Sequence, residues 1–153
     1  MASLKAQKAT APAFMPNDGR GAFLTDKAVL GAAAGGGLGT PAPTDTIDFL
    51  IPGGFQLCDL AFTLDDCDTG AAFVFGVGYR AATTGSSLAT NATYFSAAGQ
   101  TVGQAGGRLE CSFKPIQFDE DVYIQLLVGT APAGISGNPE IHMVAGGNCR
   151  GQK

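Results

Sequence analysis

Apolar residues at every second position are the feature that most limits what this chain can fold into. The pattern is clearest over 122–129, where Val122, Ile124, Leu126 and Val128 alternate with other residues. A period of two places such side chains on one side of a β-strand. Glycine and proline account for 23 and 8 of the 153 residues, and both disfavour helix interiors. The sequence therefore predicts strands joined by turns.

The rest of the chain repeats this pattern. The predicted strands are 46–51, 55–64, 71–80, 108–113, 122–129 and 141–145. We expect 55–64 and 71–80 to form a hairpin, and 91–98 to form a short helix with Asn91 or Thr93 as its N-cap. Short connections and the lack of a βαβ pattern favour an all-β fold, an antiparallel β-sandwich that is jelly-roll-like.

Residues 1–44 differ from the rest, being rich in Ala, Gly, Pro and Thr. We predict an extended N-terminal arm over 1–44 and a β-sandwich body over 45–153. Such a segment cannot offset its own ordering entropy, so it is either disordered or ordered by lying on another surface. Scattered apolar residues favour an arm that is ordered on another surface. Removal of residues 1–40 should leave a folded body. The predicted partner-binding anchors are Phe14, Met15, Phe23 and Leu24.

Composition restricts the class of function. Charged residues make up 14% of the chain, against about 25% in a typical soluble domain, which fits either a surface covered by partners or a small monomer. A net charge of −4 without a basic stripe argues against nucleic-acid binding. No apolar run is long enough for a transmembrane helix, and the N-terminus lacks the apolar core of a signal peptide. We therefore expect no membrane partner and folding in a cytoplasm.

No catalytic motif is present. The single histidine, His142, lies in a predicted strand, and no serine has the glycine-flanked setting of a nucleophile elbow. The glycine-rich run 35–39 lacks the lysine of a phosphate-binding loop, so we predict a non-enzyme without a cofactor. The turn 65–68 contains three aspartates and is either a calcium site or, as we favour, a turn in which Asp caps backbone amides.

The four cysteines show no metal-ligand spacing, and a reducing cytoplasm favours small core residues or free thiols. They are Cys58, Cys67, Cys111 and Cys149.

Several short segments between about 45 and 145 are similar to those of a known group. They are Ile51-Pro-Gly-Gly-Phe55, Leu57–Leu64, Asp68-Thr-Gly70, Tyr94-Phe-Ser-Ala-Ala98, Gln104-Ala-Gly-Gly107 and Phe118-Asp-Glu-Asp-Val-Tyr-Ile124. Together they resemble small structural proteins of tailed bacteriophages, and most of all capsid decoration (cement) proteins.

The resemblance implies a protein on the outer surface of a virion, assembled in the host cytoplasm. Its partners would be the major capsid protein and copies of itself, as a homotrimer at three-fold positions of the shell, and it would have no catalytic residues. A tail or fibre component is one alternative. A small ligand-binding or hydrolytic β-sandwich, in which His142 would matter for activity, is the other.

Overall fold

The computed structural model describes residues 3–5, 21–31 and 37–149. These residues form ten β-strands and a 3₁₀ turn at Val102–Gln104. The strands are β1 (Ser3–Lys5), β2 (Gly21–Val29), β3 (Thr46–Ile51), β4 (Phe55–Leu64), β5 (Val74–Ala81), β6 (Asn91–Gln100), β7 (Gly107–Glu110), β8 (Ile116–Gln117), β9 (Val122–Thr130) and β10 (Glu140–Cys149).

The strands build two sheets. Sheet I has the order β1-β3-β9-β5-β6, and sheet II has the order β2-β10-β4-β7, with β8 also paired to β4. Every pairing is antiparallel except that of β1 with β3. The predicted all-β sandwich is confirmed. The described part of the chain contains no helix with the length and hydrophobicity needed to cross a bilayer.

The core lies between the two sheets and is made by the alternating positions. Val122, Ile124 and Leu126 of β9 are fully buried, as their spacing predicts. Phe49 of β3 meets Phe62 of β4 across the interior, edge to face at a ring separation of 5.6 Å. Burying a side chain of this size contributes about 1.5–3 kcal/mol before ordering costs.

The helix predicted over 91–98 is wrong, because these residues belong to β6. Asn91 Oδ1 does accept the Thr93 N–H at 3.3 Å, which is the kind of bond that an N-cap makes. The segment nevertheless forms a strand that pairs with β5, and the register of this pair is interrupted by two irregularities. The bare faces of Gly76 and Gly78 let β6 lie close, since a Cβ on Gly78 would overlap the backbone of residues 91–92.

The predicted hairpin of 55–64 with 71–80 is also wrong. β4 lies in sheet II and β5 lies in sheet I, so the segment between them crosses from one sheet to the other. Alternation shows which side of a strand is buried but not which neighbour it pairs with.

The structure differs from the predicted division at residue 44. β2 pairs with β10 over nine positions, from Gly21 opposite Asn148 to Val29 opposite Glu140. Ala28 and Leu30 are buried in the core, so 21–31 folds with the sandwich. Asp26 shares the inward side of Ala28 and is only 7% exposed, and its Oδ1 accepts the Lys27 N–H.

The last predicted strand is longer than expected. β10 extends to Cys149, which is buried, so the strand predicted over 141–145 continues through two glycines. Residues 1–2, 6–20, 32–36 and 150–153 lie outside the described part of the chain.

Candidate assembly surfaces

Two of the four predicted anchors fall within the described residues. Phe14 and Met15 lie outside them. Phe23 and Leu24 are neighbours in β2 and point to opposite faces of sheet II. Phe23 is 77% exposed, while Leu24 packs against the core of its own chain. The structure thus presents Phe23 to the outside and uses Leu24 internally.

Phe23 stands on the outer face of the edge strand β2. Its register partner is Gly146 of β10, which pairs on its other side with Asp59 of β4. A Cβ built on Gly146 would lie 3.1 Å from Phe23 Cε1 and 3.3 Å from Asp59 Cβ. The ring therefore leans over the bare backbone of Gly146, which holds a large apolar group at a fixed place on the face.

A charged cluster follows Phe23 along the same face. Glu140 accepts a hydrogen bond from Lys27 Nζ at 2.6 Å and lies 2.8 Å from His142 Nε2. The Lys27 hydrogen bond lowers the pKa of Glu140, burial opposes that shift, and His142 adds to it. His142 is thus a surface residue whose partner is a carboxylate, and the cluster ties β2 to β10.

The Asp-rich turn is organised around Asp68, whose side chain is buried. Its carboxylate accepts N–H bonds from Gly70 at 2.9 Å and Ala133 at 2.8 Å, and also from Ala72 and Phe73. Burial alone would raise the pKa of Asp68, but these four donors outweigh it and lower the pKa to about 2. The carboxylate is occupied by backbone amides, as in the turn interpretation.

The other two aspartates of the turn also serve the backbone. Asp66 Oδ1 accepts the N–H of Asp68, and Asp65 Oδ2 accepts the N–H of Glu140. Within the described ranges, no three His, Cys, Asp or Glu side chains gather as a metal site.

All four cysteines are free thiols in this structure. Burial raises the pKa of Cys67 and of Cys111 to about 12, and nearby aspartates add to both shifts. Since the thiolate is the reactive form, the raised pKa lowers the reactivity of these two thiols near neutral pH. Cys58 is exposed.

A shallow cleft of about 480 Å³ lies beside the connection between β5 and β6. Leu88 and Phe118 form its apolar part, and Asp119 and Glu120 its polar part. Its lining contains no histidine, cysteine or basic residue.

Sheet I carries a second charged cluster, which spans strands β1, β3, β9 and β5. Asp48 of β3 is fully buried, and its Oδ2 lies 2.9 Å from Lys5 Nζ of β1 and 2.7 Å from Arg80 Nη2 of β5. Both cations lie over Tyr123 of β9, at 3.5 Å for Lys5 and 4.6 Å for Arg80 from the ring centre. Sequence analysis missed this cluster because its members come from four separate strands.

Comparison with known proteins finds two solved structures with a similar fold. No family model matches the chain, and no curated protein matches it by sequence. A chain in the capsid of Ralstonia phage GP4 has the same fold, with a TM-score of 0.73 and 21% identity, over 99% of this chain and 100% of that one. A chain in the cyanophage Pam1 capsid asymmetric unit matches with a TM-score of 0.59 and 15% identity, over 92% and 94%. At these identities the likeness shows a shared fold.

Proposed function

We propose that this chain is a non-enzymatic structural protein of a bacteriophage virion, which decorates the capsid. It binds the outer surface between major capsid protein subunits and stabilises the shell. The observation that carries the proposal is the fold match to a chain of a phage capsid, which extends over nearly the whole of both chains.

The outer face of sheet II supports this role. Phe23 is the one large hydrophobic side chain that is strongly exposed among the described residues, and aromatic anchors are typical centres of protein interfaces. Burying it would contribute about 1.5–3 kcal/mol. A stable interface covers at least about 1,000 Å², so the contact must extend beyond Phe23 over the neighbouring strands.

The proposal includes a homotrimer at three-fold positions and an arm that contacts neighbours. Phe14 and Met15 remain predicted anchors of that arm. Leu24 acts indirectly, because its packing on the core fixes the strand that presents Phe23.

The polar clusters support a structural role over a hydrolytic one. His142 is paired with Glu140, and Asp68 is occupied by backbone amides. In the described residues neither side chain forms a hydrogen bond with a hydroxyl or thiol group. We therefore expect His142→Ala to leave binding to the capsid unchanged.

The direct test is binding to capsids of the encoding phage that were assembled without this chain. Purified protein should co-sediment with these particles and raise the temperature at which they rupture. Phe23→Ser should keep the fold and weaken binding about ten- to hundredfold, from the lost burial of the ring. Thr83→Ala, at an exposed loop position, is the matched control and should bind normally.

Two results would overturn the proposal. Absence of the protein from purified virions would remove the structural role altogether. Labelled protein located on the tail in electron micrographs would replace decoration of the capsid with a tail or fibre role.

A further inference from the structure

The N-terminal strand β1 is attached differently from every other described strand. Its three residues pair in parallel with Thr46–Asp48, while the other pairings are antiparallel. Its side-chain contacts are those of Lys5 with Asp48 Oδ2 and the Tyr123 ring, and that of the partly buried Leu4 with the core. β1 is therefore an attachment at the edge of the sandwich, outside the interlocked strands of the interior.

The residues that receive β1 are positioned by the body itself. Asp48 is held by Arg80 Nη2 at 2.7 Å and by Thr46 Oγ1 at 3.3 Å. Arg80 also lies over Tyr123. A buried carboxylate beside an aromatic ring is a suitable acceptor for a lysine ammonium group. We call the set Thr46–Asp48, Arg80 and Tyr123 the Asp48 slot.

The geometry does not require that the strand in the slot comes from the same chain. Lys5 and Asp48 are 43 residues apart in sequence, and 15 residues lie between Lys5 and Gly21. That length reaches about 50 Å when fully extended. A compact body of this size is about 40 Å across, so the slot of an adjacent copy is within reach.

We propose that, in the assembled particle, β1 of one copy occupies the Asp48 slot of a neighbouring copy, so that copies are linked by exchanged N-terminal strands. This rests on the proposed function, because a shell holds copies at the high effective concentration that favours exchange. Exchange remakes the bonds of the closed chain and needs no new interface, which makes it a low-cost route to linked copies.

β1 is also the strand that can leave at least cost. Only Ser3–Lys5 must unpair from β3, and the core contact that is given up is that of the partly buried Leu4. Exchange of β2 would instead break nine register positions and expose Ala28 and Leu30.

The test uses full-length chains that carry both Leu4→Cys and Ile47→Cys. Leu4 and Ile47 are opposite each other in the register, at a separation that a disulfide tolerates. Chains grown with natural nitrogen and with ¹⁵N are mixed in equal amounts while reduced, assembled on capsids and oxidised. Mass spectrometry then identifies peptides joined through residues 4 and 47. Exchange predicts that about half of them pair a light with a heavy peptide, and closure within one chain predicts none.

Ile47 is fully buried, so a second measurement uses wild-type chains. A carbodiimide couples the Lys5 amine to the Asp48 carboxylate, and the same isotope mixture shows whether the two come from one copy. Lys5→Met is the control and should abolish this product. Coated capsids without hybrid peptides in either measurement overturn exchange and leave the proposed function standing. If the chains do not bind capsids, the proposed function fails, and hybrid peptides in concentrated solution then decide exchange alone.

Discussion

β1 and β2 come from the same stretch of small and polar residues, yet the structure holds them in different ways. β2 contributes nine paired positions to sheet II and places Ala28 and the adjoining Leu30 in the core. β1 contributes three paired positions to sheet I and depends on the contacts of Lys5. One segment is part of the body, and the other is fastened to it.

The difference follows from how stabilisation grows with length. Ordering a residue costs about 1–2 kcal/mol, and a hydrogen bond returns about 1 kcal/mol net. Backbone pairing alone therefore does not offset the ordering cost, and side-chain contacts decide the outcome. β2 obtains them from fully buried core residues, and β1 obtains them from a buried carboxylate and the partly buried Leu4.

Deletions from the N-terminus should show the largest difference between β1 and β2. Deletion of residues 1–20 removes β1 and should leave the body folded. Deletion of residues 1–40 also removes β2, which opens the edge of β10 and uncovers the core beside Leu30. We expect the longer deletion to unfold or aggregate, in contrast to the expectation from sequence alone. Circular dichroism and thermal melting of the two deletion variants test these expectations.

A cooperative melt of the 1–40 deletion close to that of the full chain would contradict the distinction. It would mean that β2 is dispensable and that both segments belong to the arm.

Equal substitutions in the two segments should give unequal losses of stability. Leu30→Ala removes a fully buried side chain and should lower the free energy of unfolding by about 2–5 kcal/mol. Leu4→Ala is its match in β1 and should cost less than about 1 kcal/mol, because Leu4 is only partly buried. Denaturant titration measures both, and equal losses would remove the contrast.

The two lysines that fasten these strands offer a finer test. Lys5→Met should raise hydrogen exchange at the β1 amides about ten- to hundredfold, since a bond to a charged group contributes about 1.5–3 kcal/mol. Lys27→Met removes the corresponding contact of β2 with Glu140. It should leave the exchange of β2 amides almost unchanged, because the core still holds that strand. Faster exchange throughout β2 would show that its core contacts are insufficient.

The smallest expected effect is a pH dependence of the Lys27 contact. The pKa of Glu140 is lowered in the fold by Lys27, against burial and with His142. A lowered pKa contributes stability above the ordinary value for Glu, and this stability is lost as the pH falls through the lowered pKa. The small difference in melting temperature between wild type and Lys27→Met should therefore be present near neutral pH and vanish in acid. A difference that persists in acid would assign the effect to packing.

The sequence predicts the strands whose alternation is regular and fails where other contacts decide. The pattern at Val122–Val128 needs only a period of two, and β9 forms as expected. Residues 91–98 carry a helix-like local signal, but the room above Gly76 and Gly78 is a property of the assembled sheet. Alternation likewise cannot assign β4 and β5 to different sheets.

The assembly surfaces show the same limit. Sequence analysis named Phe23 and Leu24 together because both are apolar. Adjacent residues of a strand point to opposite faces, so only one of them can face outward, and the register with β10 decides which. The pairing of Lys5 with Asp48 depends on a contact across 43 residues, for which one sequence carries no signal.

Asp26 affects how separate copies of the chain avoid aggregation through their edge strands. It points inward from the edge strand β2, on the side of Leu24 and Ala28. Inward-pointing charges on an edge strand are a known deterrent to the addition of a foreign strand. In the proposed function, many copies are present together before a shell receives them. The carboxylate on β2 would then disfavour edge-to-edge association of these copies.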